Sequence, residues 1–315
     1  MNRTSAIPAF FALMLAMVGW ALAPVFIRFL SDAYDPYSQA FIRYGSATIA
    51  LVAISMTTHR RELVALFRRP KAIVGIAALN ILQQVCWTFG CYYSSSATLP
   101  QLITKLNVVF IIVFSYFLFH EERAVIRSRG YLWGTLLSMV GVAAVLTADP
   151  ATLVPRLDLS ALLLLVVALC WGVYIVWAKH LVGGVHPVPM FTATAVFTTL
   201  GLGALSWGMG DMRCLVVASP KITAVAVVSG LFPIAMAHTC FHYAQRRLGS
   251  AFSSVLLLMN PFLTYLFALL VLPGERLHPS QWGGAAVLLA GVLLVTWTRQ
   301  RIHARSTTAG EEATD

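Results

Sequence analysis

Apolar residues fall into ten runs along this chain, at 8–30, 37–57, 73–94, 97–119, 130–148, 159–180, 189–208, 222–244, 250–272 and 281–298. Each run holds 18 to 23 residues, and short polar connections separate them. An α-helix rises about 1.5 Å per residue and needs roughly 20 apolar residues to cross a hydrocarbon core of about 30 Å. The pattern therefore predicts an all-α polytopic membrane protein of ten transmembrane helices, with the lipid bilayer as its solvent. No connection is long enough to house a soluble domain.

Composition agrees with the pattern. Of 315 residues 59% are hydrophobic and 11% charged, with a mean hydropathy of +0.79, against roughly 25% charged residues in ordinary soluble domains. The five cysteines, Cys86, Cys91, Cys170, Cys214 and Cys240, are odd in number and mostly lie inside apolar runs, so they predict no disulfide framework. The first run has leader-like features, Arg3 ahead of it and Ala21 and Ala23 in an A-x-A pattern. Proline would follow that cut at Pro24, and the segment recurs later in the chain, so it reads as the first span.

Cations set the orientation. With the N-terminus inside, the inner segments hold fifteen Lys and Arg, among them Arg60, Arg61, Arg68, Arg69 and Lys71. The outer segments hold five: Arg28, Arg156, Arg213, Lys221 and Arg276. The positive-inside rule selects this arrangement, with both termini cytoplasmic in a cell inner membrane. The net charge of +10 is then a topology signal and a source of lipid contact rather than a nucleic-acid footprint. The polar, aperiodic stretch at 299–315 predicts a disordered cytoplasmic tail.

The two halves of the chain match each other. Trp20, Arg28 and Pro36 recur as Trp171, Lys179 and Pro187 at an offset of 151. Asn107, Glu122 and Gly130 recur as Asn260, Glu275 and Gly283 at 153, and Gly134 with Gly141 and Val142 as Gly284 with Gly291 and Val292 at 150. Five spans per half means that the second half enters the membrane from the opposite side. The prediction is two inverted five-helix repeats, 1–148 and 149–298, an architecture of secondary transporters whose solute site lies near midplane between the repeats.

The same segments carry a family resemblance over residues 8–298. "FALMLAMVGW", "DPYSQAFIRYGSA" and above all "SSVLLLMNPFLTYLFALLVLPGERLHPSQWGGAAVLLAGVLLV" resemble the two EamA-type repeats of the drug/metabolite transporter superfamily. The first half keeps "HEER" at His120 to Arg123 where the second has "GERL", and Val108 stands where the family usually has proline. The resemblance implies a transporter without a cofactor. Family members export amino acids or related metabolites, or carry nucleotide sugars and phosphorylated sugars, so the cargo stays open.

None of the twelve acidic residues falls inside a predicted span, yet two cations do, Arg43 and Lys105. Each costs about 2.5–3.5 kcal/mol at a helix centre, so both are expected to face protein or a watery cavity. Counting from the span ends places Arg43, Lys105 and Gln84 roughly 9 to 15 Å below the outer boundary. Asn80, Gln83, Gln84 and Trp87 follow helical i, i+3, i+4, i+7 spacing and form one polar face, and Gln101 shares a face with Lys105. The repeat counterparts of Asn80, Gln84, Lys105 and Arg43 are Pro233, Ala237, Leu258 and Thr194, so the pocket is expected to be lopsided.

Each of these residues also has a structural reading. Arg43 either bonds helix-end carbonyls or meets solute, and Lys105 either binds a ligand or coupling ion or bonds carbonyls. The Asn80 to Trp87 stripe is cavity lining or interhelical packing, and Asn107 and Asn260 read as helix–helix glue. Trp20, Trp171 and Tyr174 sit near midplane, as cavity wall or as packing. His238 and His242 lie one turn apart without an acidic companion, which argues against a metal and leaves packing or proton coupling. Glu122 and Glu275 end their spans at opposite faces, as helix caps, as partners of Arg123 and Arg276, or as gates.

The reading that follows is a carrier for a small metabolite with an anionic group, an amino acid or related carboxylate moving in the export direction. Lys105 and Arg43 would meet the anion while Trp20, Trp87, Trp171 and Tyr174 contact an apolar part. A nucleotide-like or phosphorylated solute, or a drug, is the alternative, and a proton exchanged at Lys105 is an alternative use of the lysine. A membrane enzyme is disfavoured, since no H-E-x-x-H, G-x-S-x-G or P-loop pattern occurs, and no filter-like loop suggests a channel. A homodimer is compatible with the sequence, which does not specify it.

Overall fold

The computed structural model describes residues 3–68, 70–94, 97–146, 159–182, 184–271 and 279–311. In chain order its helices are α1 (Arg3–Leu30), α2 (Pro36–Thr58), α3 (Arg60–Phe67), α4 (Pro70–Tyr93), α5 (Thr98–Ile103), α6 (Asn107–Leu118), α7 (His120–Ile126) and α8 (Arg129–Leu146). There follow α9 (Leu159–Val182), α10 (Pro187–Met209), α11 (Cys214–Val217), α12 (Pro220–Gly230), α13 (Ala237–Leu248), α14 (Ser250–Leu256), α15 (Asn260–Val271) and α16 (Pro279–Glu311). Every regular element among the described residues is helical, as the sequence predicts.

Helix starts follow local chemistry. α2, α10 and α12 each begin with proline directly after a capping residue, Asp35, His186 and Ser219. Proline lacks the N–H that a first turn leaves unpaired anyway, and its fixed φ suits the helix. The Asp35 carboxylate accepts from Tyr37 N (2.9 Å) and Ser38 N (3.1 Å), and its second oxygen from Asp211 N across the bundle (3.0 Å).

Seven helical stretches among the described residues are long and apolar enough to cross a membrane, where the sequence predicts ten spans. The predicted span 97–119 is broken by a 3₁₀ turn at Thr104–Leu106, leaving Thr104–Leu118 as a shorter apolar piece. The predicted span 130–148 runs past the described residues, which stop at 146, and the predicted span 281–298 lies within α16. α16 runs on to Glu311, through most of the stretch 299–315 that the sequence reads as a disordered tail. The expected boundary between halves, at 148 and 149, lies outside the described residues, as does Glu275.

Two irregular turns recur at the offset seen in the sequence. The 3₁₀ turn Thr104–Leu106 precedes α6, and Leu257–Met259 precedes α15, with both turns and both helices displaced by 153. A π-helical turn at Leu231–Met236 joins α12 to α13, and Pro233 inside it cannot donate to the ladder. Packing is matched likewise: α4 and α6 pack on α9, while α13 and α15 pack on α1. α2 packs on α10 and α8 on α16. At the last contact backbones touch, so that a Cβ on Gly141 would stand 2.3 Å from Leu288 N and one on Gly291 2.5 Å from Ser138 N.

The α2 start also sets a pH dependence. Burial alone would raise the Asp35 carboxyl, but hydrogen bonds from Ser38, Asp211 and Tyr37 hold it below its ordinary range. A carboxyl lowered by folding stabilises fully above its unfolded pKa, and that contribution fades as pH falls through the folded value. Asp35→Ala is expected to lower the melting temperature of detergent-purified protein at about pH 6, with the gap to wild type narrowing toward about pH 3. An equal gap at both would contradict the account.

Candidate functional site

A cavity of about 90 Å³ lies inside the bundle, and both parts of the chain line it. Space for one water needs only ~10–15 Å³ on the same measure, so the chamber is roomy enough for several. Of the residues singled out from sequence, Trp20, Arg43, Gln83, Gln84, Trp87, Gln101, Lys105, Trp171 and His238 line it. Both cations and all three glutamines come from α2, α4, α5 and the turn after it, and the second half contributes Val167, Trp171, Pro233, Ile234, His238, Leu257 and Asn260.

Lys105 is carried by the 3₁₀ turn and is 7% exposed; Arg43 on α2 is 3% exposed. Among the described residues no carboxylate pairs with either, and Lys105 Nζ has no hydrogen-bond acceptor. Arg43 Nε donates to Ser229 Oγ at 3.1 Å, and that hydroxyl donates onward to Ala226 O at 2.8 Å. The serine thus fixes the guanidinium by one edge and leaves its terminal N–H donors uncommitted. Three polar atoms of lining residues are buried without a hydrogen-bond partner among the described residues: Gln83 Oε1, His238 Nδ1 and Asn260 Oδ1. Gln101 is anchored by its amide N–H to Trp20 O (2.7 Å).

Aromatic rings form the opposite wall. Trp20 and Trp171, the repeat-related pair, meet edge to face with centroids 5.1 Å apart. His238 lies edge-on to both, at 5.0 and 5.6 Å, and stacks on Phe191 at 4.5 Å. Such contacts hold the indoles as a rigid electron-rich surface. The described residues contain no cluster of metal ligands.

Two residues of the predicted set stand behind the cavity rather than on it. Asn80 is wholly buried and donates to Tyr44 Oη and Thr198 Oγ1, both at 3.1 Å, so it ties α2, α4 and α10 together. Tyr174 lies one turn along α9 from Trp171 and stacks beneath it at 5.3 Å. Its hydroxyl faces His242 Nε2 at 3.2 Å. Gln245 donates through Nε2 to Ile175 O (2.7 Å) and Ser250 Oγ (2.8 Å), so its Oε1 must accept from His242 Nδ1 at 3.1 Å. In the uncharged ring Nε2 is then the acceptor, and Tyr174 is the donor.

Asn107 and Asn260, read from sequence as glue, line the cavity instead. The cause is the turn that precedes each: a 3₁₀ turn advances about 120° per residue rather than 100° and eclipses positions i and i+3. Thr104 and Asn107 therefore share the chamber, as do Leu257 and Asn260. Neither turn contains glycine or proline, and the recurrence of asparagine at an offset of 153 is what the two share in the sequence.

Glu122 sits at one end of the bundle and is 7% exposed. Its oxygens accept from Ser250 N (2.9 Å) and Ala251 N (2.8 Å), at the start of α14, and it pairs with Lys179 at the end of α9. Gly249 makes this possible with φ 89°, a turn where a Cβ would approach the Glu122 carboxyl within 3.3 Å. The expected partner Arg123 goes elsewhere, donating to Tyr116 O and Phe117 O. Through Ser250 this clamp joins the buried chain Gln245, His242 and Tyr174, which ends beneath Trp171.

A polar chamber with unbalanced cations inside a bundle of apolar, membrane-length helices defines a polytopic membrane protein built around an internal polar site. The chain belongs to the EamA-like transporter family, which matches it at residues 7–147 and 158–297, and so to the drug/metabolite transporter superfamily. It is 27% identical over 298 residues to a probable terminal-alkyne amino-acid exporter of Streptantibioticus cattleyicolor, covering 91% of this chain and 93% of that protein. A solved crystal structure of a protein 17% identical superposes with a TM-score of 0.76 over 96% of this chain and 99% of the other, which shows a shared fold.

The clamp predicts an asymmetry between adjacent acids. Glu122→Ala leaves two helix-start N–H groups without their acceptor and leaves Lys179 only the exposed Glu121, and is expected to destabilise by more than about 2 kcal/mol. Glu121, whose side chain is 67% exposed on the same lysine, is worth less than about 1 kcal/mol. Thermal unfolding of the two variants checks this, and equal losses would contradict it.

Proposed function

We propose that this protein is a secondary carrier that exports a small carboxylate-bearing metabolite of the amino-acid class across the inner membrane by alternating access. The observation that carries this reading is the pair of buried cations, Lys105 and Arg43, on a chamber whose described walls hold no carboxylate. A cargo carboxylate supplies the counter-charge and accepts the uncommitted N–H donors, while Trp20 and Trp171 contact its apolar portion. The printed role of the Streptantibioticus relative, amino-acid export, supports cargo class and direction.

The matched 3₁₀ turns and matched helix contacts support two inverted five-helix repeats, 1–148 and 149–298, in a ten-helix bundle. With both termini cytoplasmic, by the excess of inner cations, the Glu122–Lys179 clamp lies at the cytoplasmic end and acts there as a gate. His238, which joins the cavity to the aromatic wall, is the candidate to sense occupancy or exchange a proton.

The test is counterflow in vesicles holding the purified full-length protein, loaded with each common L-amino acid in turn and presented with the same labelled compound outside. Saturable exchange of at least one amino acid is expected, with Lys105→Gln lowering it by about tenfold or more while the protein remains folded. Exchange unaffected by Lys105→Gln, or a non-saturating conductance, would overturn the reading.

A further inference from the structure

We propose that the stacked imidazoles of His59 and His186 form a pH-sensitive latch between the end of α2 and the start of α10, closed near neutral pH and released on acidification. The two ring centroids lie 4.0 Å apart, and the planes are 18° from parallel. His59 follows the last residue of α2 and His186 precedes the first of α10, two helices that pack on each other. Between these helices Ser55 Oγ meets Thr192 Oγ1 at 2.6 Å and Thr48 Oγ1 meets Thr199 Oγ1 at 2.7 Å, so the stack ends a seam of paired hydroxyls. Glu62 on α3 braces the stack, accepting from His186 N at 2.8 Å and standing 3.5 Å from His59 Nδ1. Neither imidazole lines the central cavity.

This contact holds only while His186 is uncharged. Its Nδ1 accepts from Val188 N at 3.4 Å and so caps α10, which requires a bare lone pair on that nitrogen. A proton there sets one N–H against another and adds positive charge at the positive end of the helix dipole. Protons on both rings also bring two like charges face to face. The charges on the surrounding elements decide the direction. Arg246 on α13 donates to Val185 O beside His186, at 3.4 Å, and opposes a further cation, whereas Glu62 favours one. Arg60 and Arg61 on α3, Lys71 at the start of α4 and His180 at the end of α9 are exposed, and Lys179 is paired with Glu121 and Glu122. Burial, His59 and Arg246 outweigh Glu62 and hold His186 below the ordinary histidine range. A histidine lowered by folding stabilises fully above its unfolded pKa of about 6.5, and that contribution is lost as pH falls through the folded value.

The experiment follows the full-length protein in detergent between about pH 8 and about pH 5, the range over which histidine titrates. It reads thermal unfolding, together with hydrogen exchange at the first-turn amides of α10, Val188 and Met190, corrected for the intrinsic pH dependence of exchange. His186→Asn keeps a side-chain oxygen that caps the helix but takes up no proton, and His59→Phe keeps a ring for the stack without its charge. On going from about pH 8 to about pH 5, the melting temperature of His186→Asn relative to wild type is expected to rise by about 2 °C or more, with a smaller rise for His59→Phe. Protection of the two amides is expected to fall about fivefold or more over the same range in wild type and to stay within about twofold in His186→Asn. Wild-type protection that does not fall, or an equal fall in His186→Asn, overturns the latch. If His186→Asn does not fold, a fall in His59→Phe as large as that of wild type overturns it. Either failure leaves the carrier reading standing, because that reading rests on cavity residues and not on these imidazoles.

Discussion

Two buried cations with no paired acid among the described residues are the constraint around which this bundle is organised. A lysine or arginine at membrane depth is tolerated only when it faces protein or a polar chamber, and the chain provides that chamber at a particular structural expense. It breaks the helix that carries Lys105 with a 3₁₀ turn, distorts the wall opposite with a π-helical turn around Pro233, and sets Ser229 to hold Arg43 by one edge. Both turns give up regular α-helical bonding beside the cavity. Irregular backbone inside a membrane is viable where it borders protein or a polar space.

The chamber is also wired to one end of the bundle. Trp171 rests on Tyr174, whose hydroxyl begins a run of buried hydrogen bonds through His242, Gln245 and Ser250 to the Glu122 carboxylate and Lys179. The orientation of each group in the run follows from its neighbour, because Gln245 has two acceptors that only its N–H atoms can serve. A shift of the indole on binding thus has a direct mechanical route to the clamp. In an alternating-access carrier such coupling is what makes closure of one side depend on occupancy of the centre.

Much of this was legible in the sequence, and the misses have physical causes. All-helical membrane architecture followed from run length, and polar residues at unexpected depth, Arg43, Gln83, Gln84, Gln101 and Lys105, pointed to the part of the bundle where the cavity lies, because burial of polarity in lipid is too costly to be incidental. Helical spacing then failed wherever the helix was not α: the 3₁₀ turns rotated Asn107 and Asn260 into the chamber. Asn80 was placed on the correct helix face but found protein partners in Tyr44 and Thr198, which no spacing rule on one helix reveals. Glu122 was recognisable as a helix-end acid, yet its partners Lys179 and Ser250 lie far along the chain and only the fold brings them to it.

The central claim is that the chamber's positive charge is there to meet an anion carried by the cargo. Its most direct test is the thermal stability of detergent-purified protein against a panel of amino acids, organic acids, nucleotides and cationic drugs. The account predicts stabilisation by compounds that bear a carboxylate, amino acids foremost, and loss of that stabilisation in a variant lacking both Lys105 and Arg43. Stabilisation by the cationic compounds alone would contradict it.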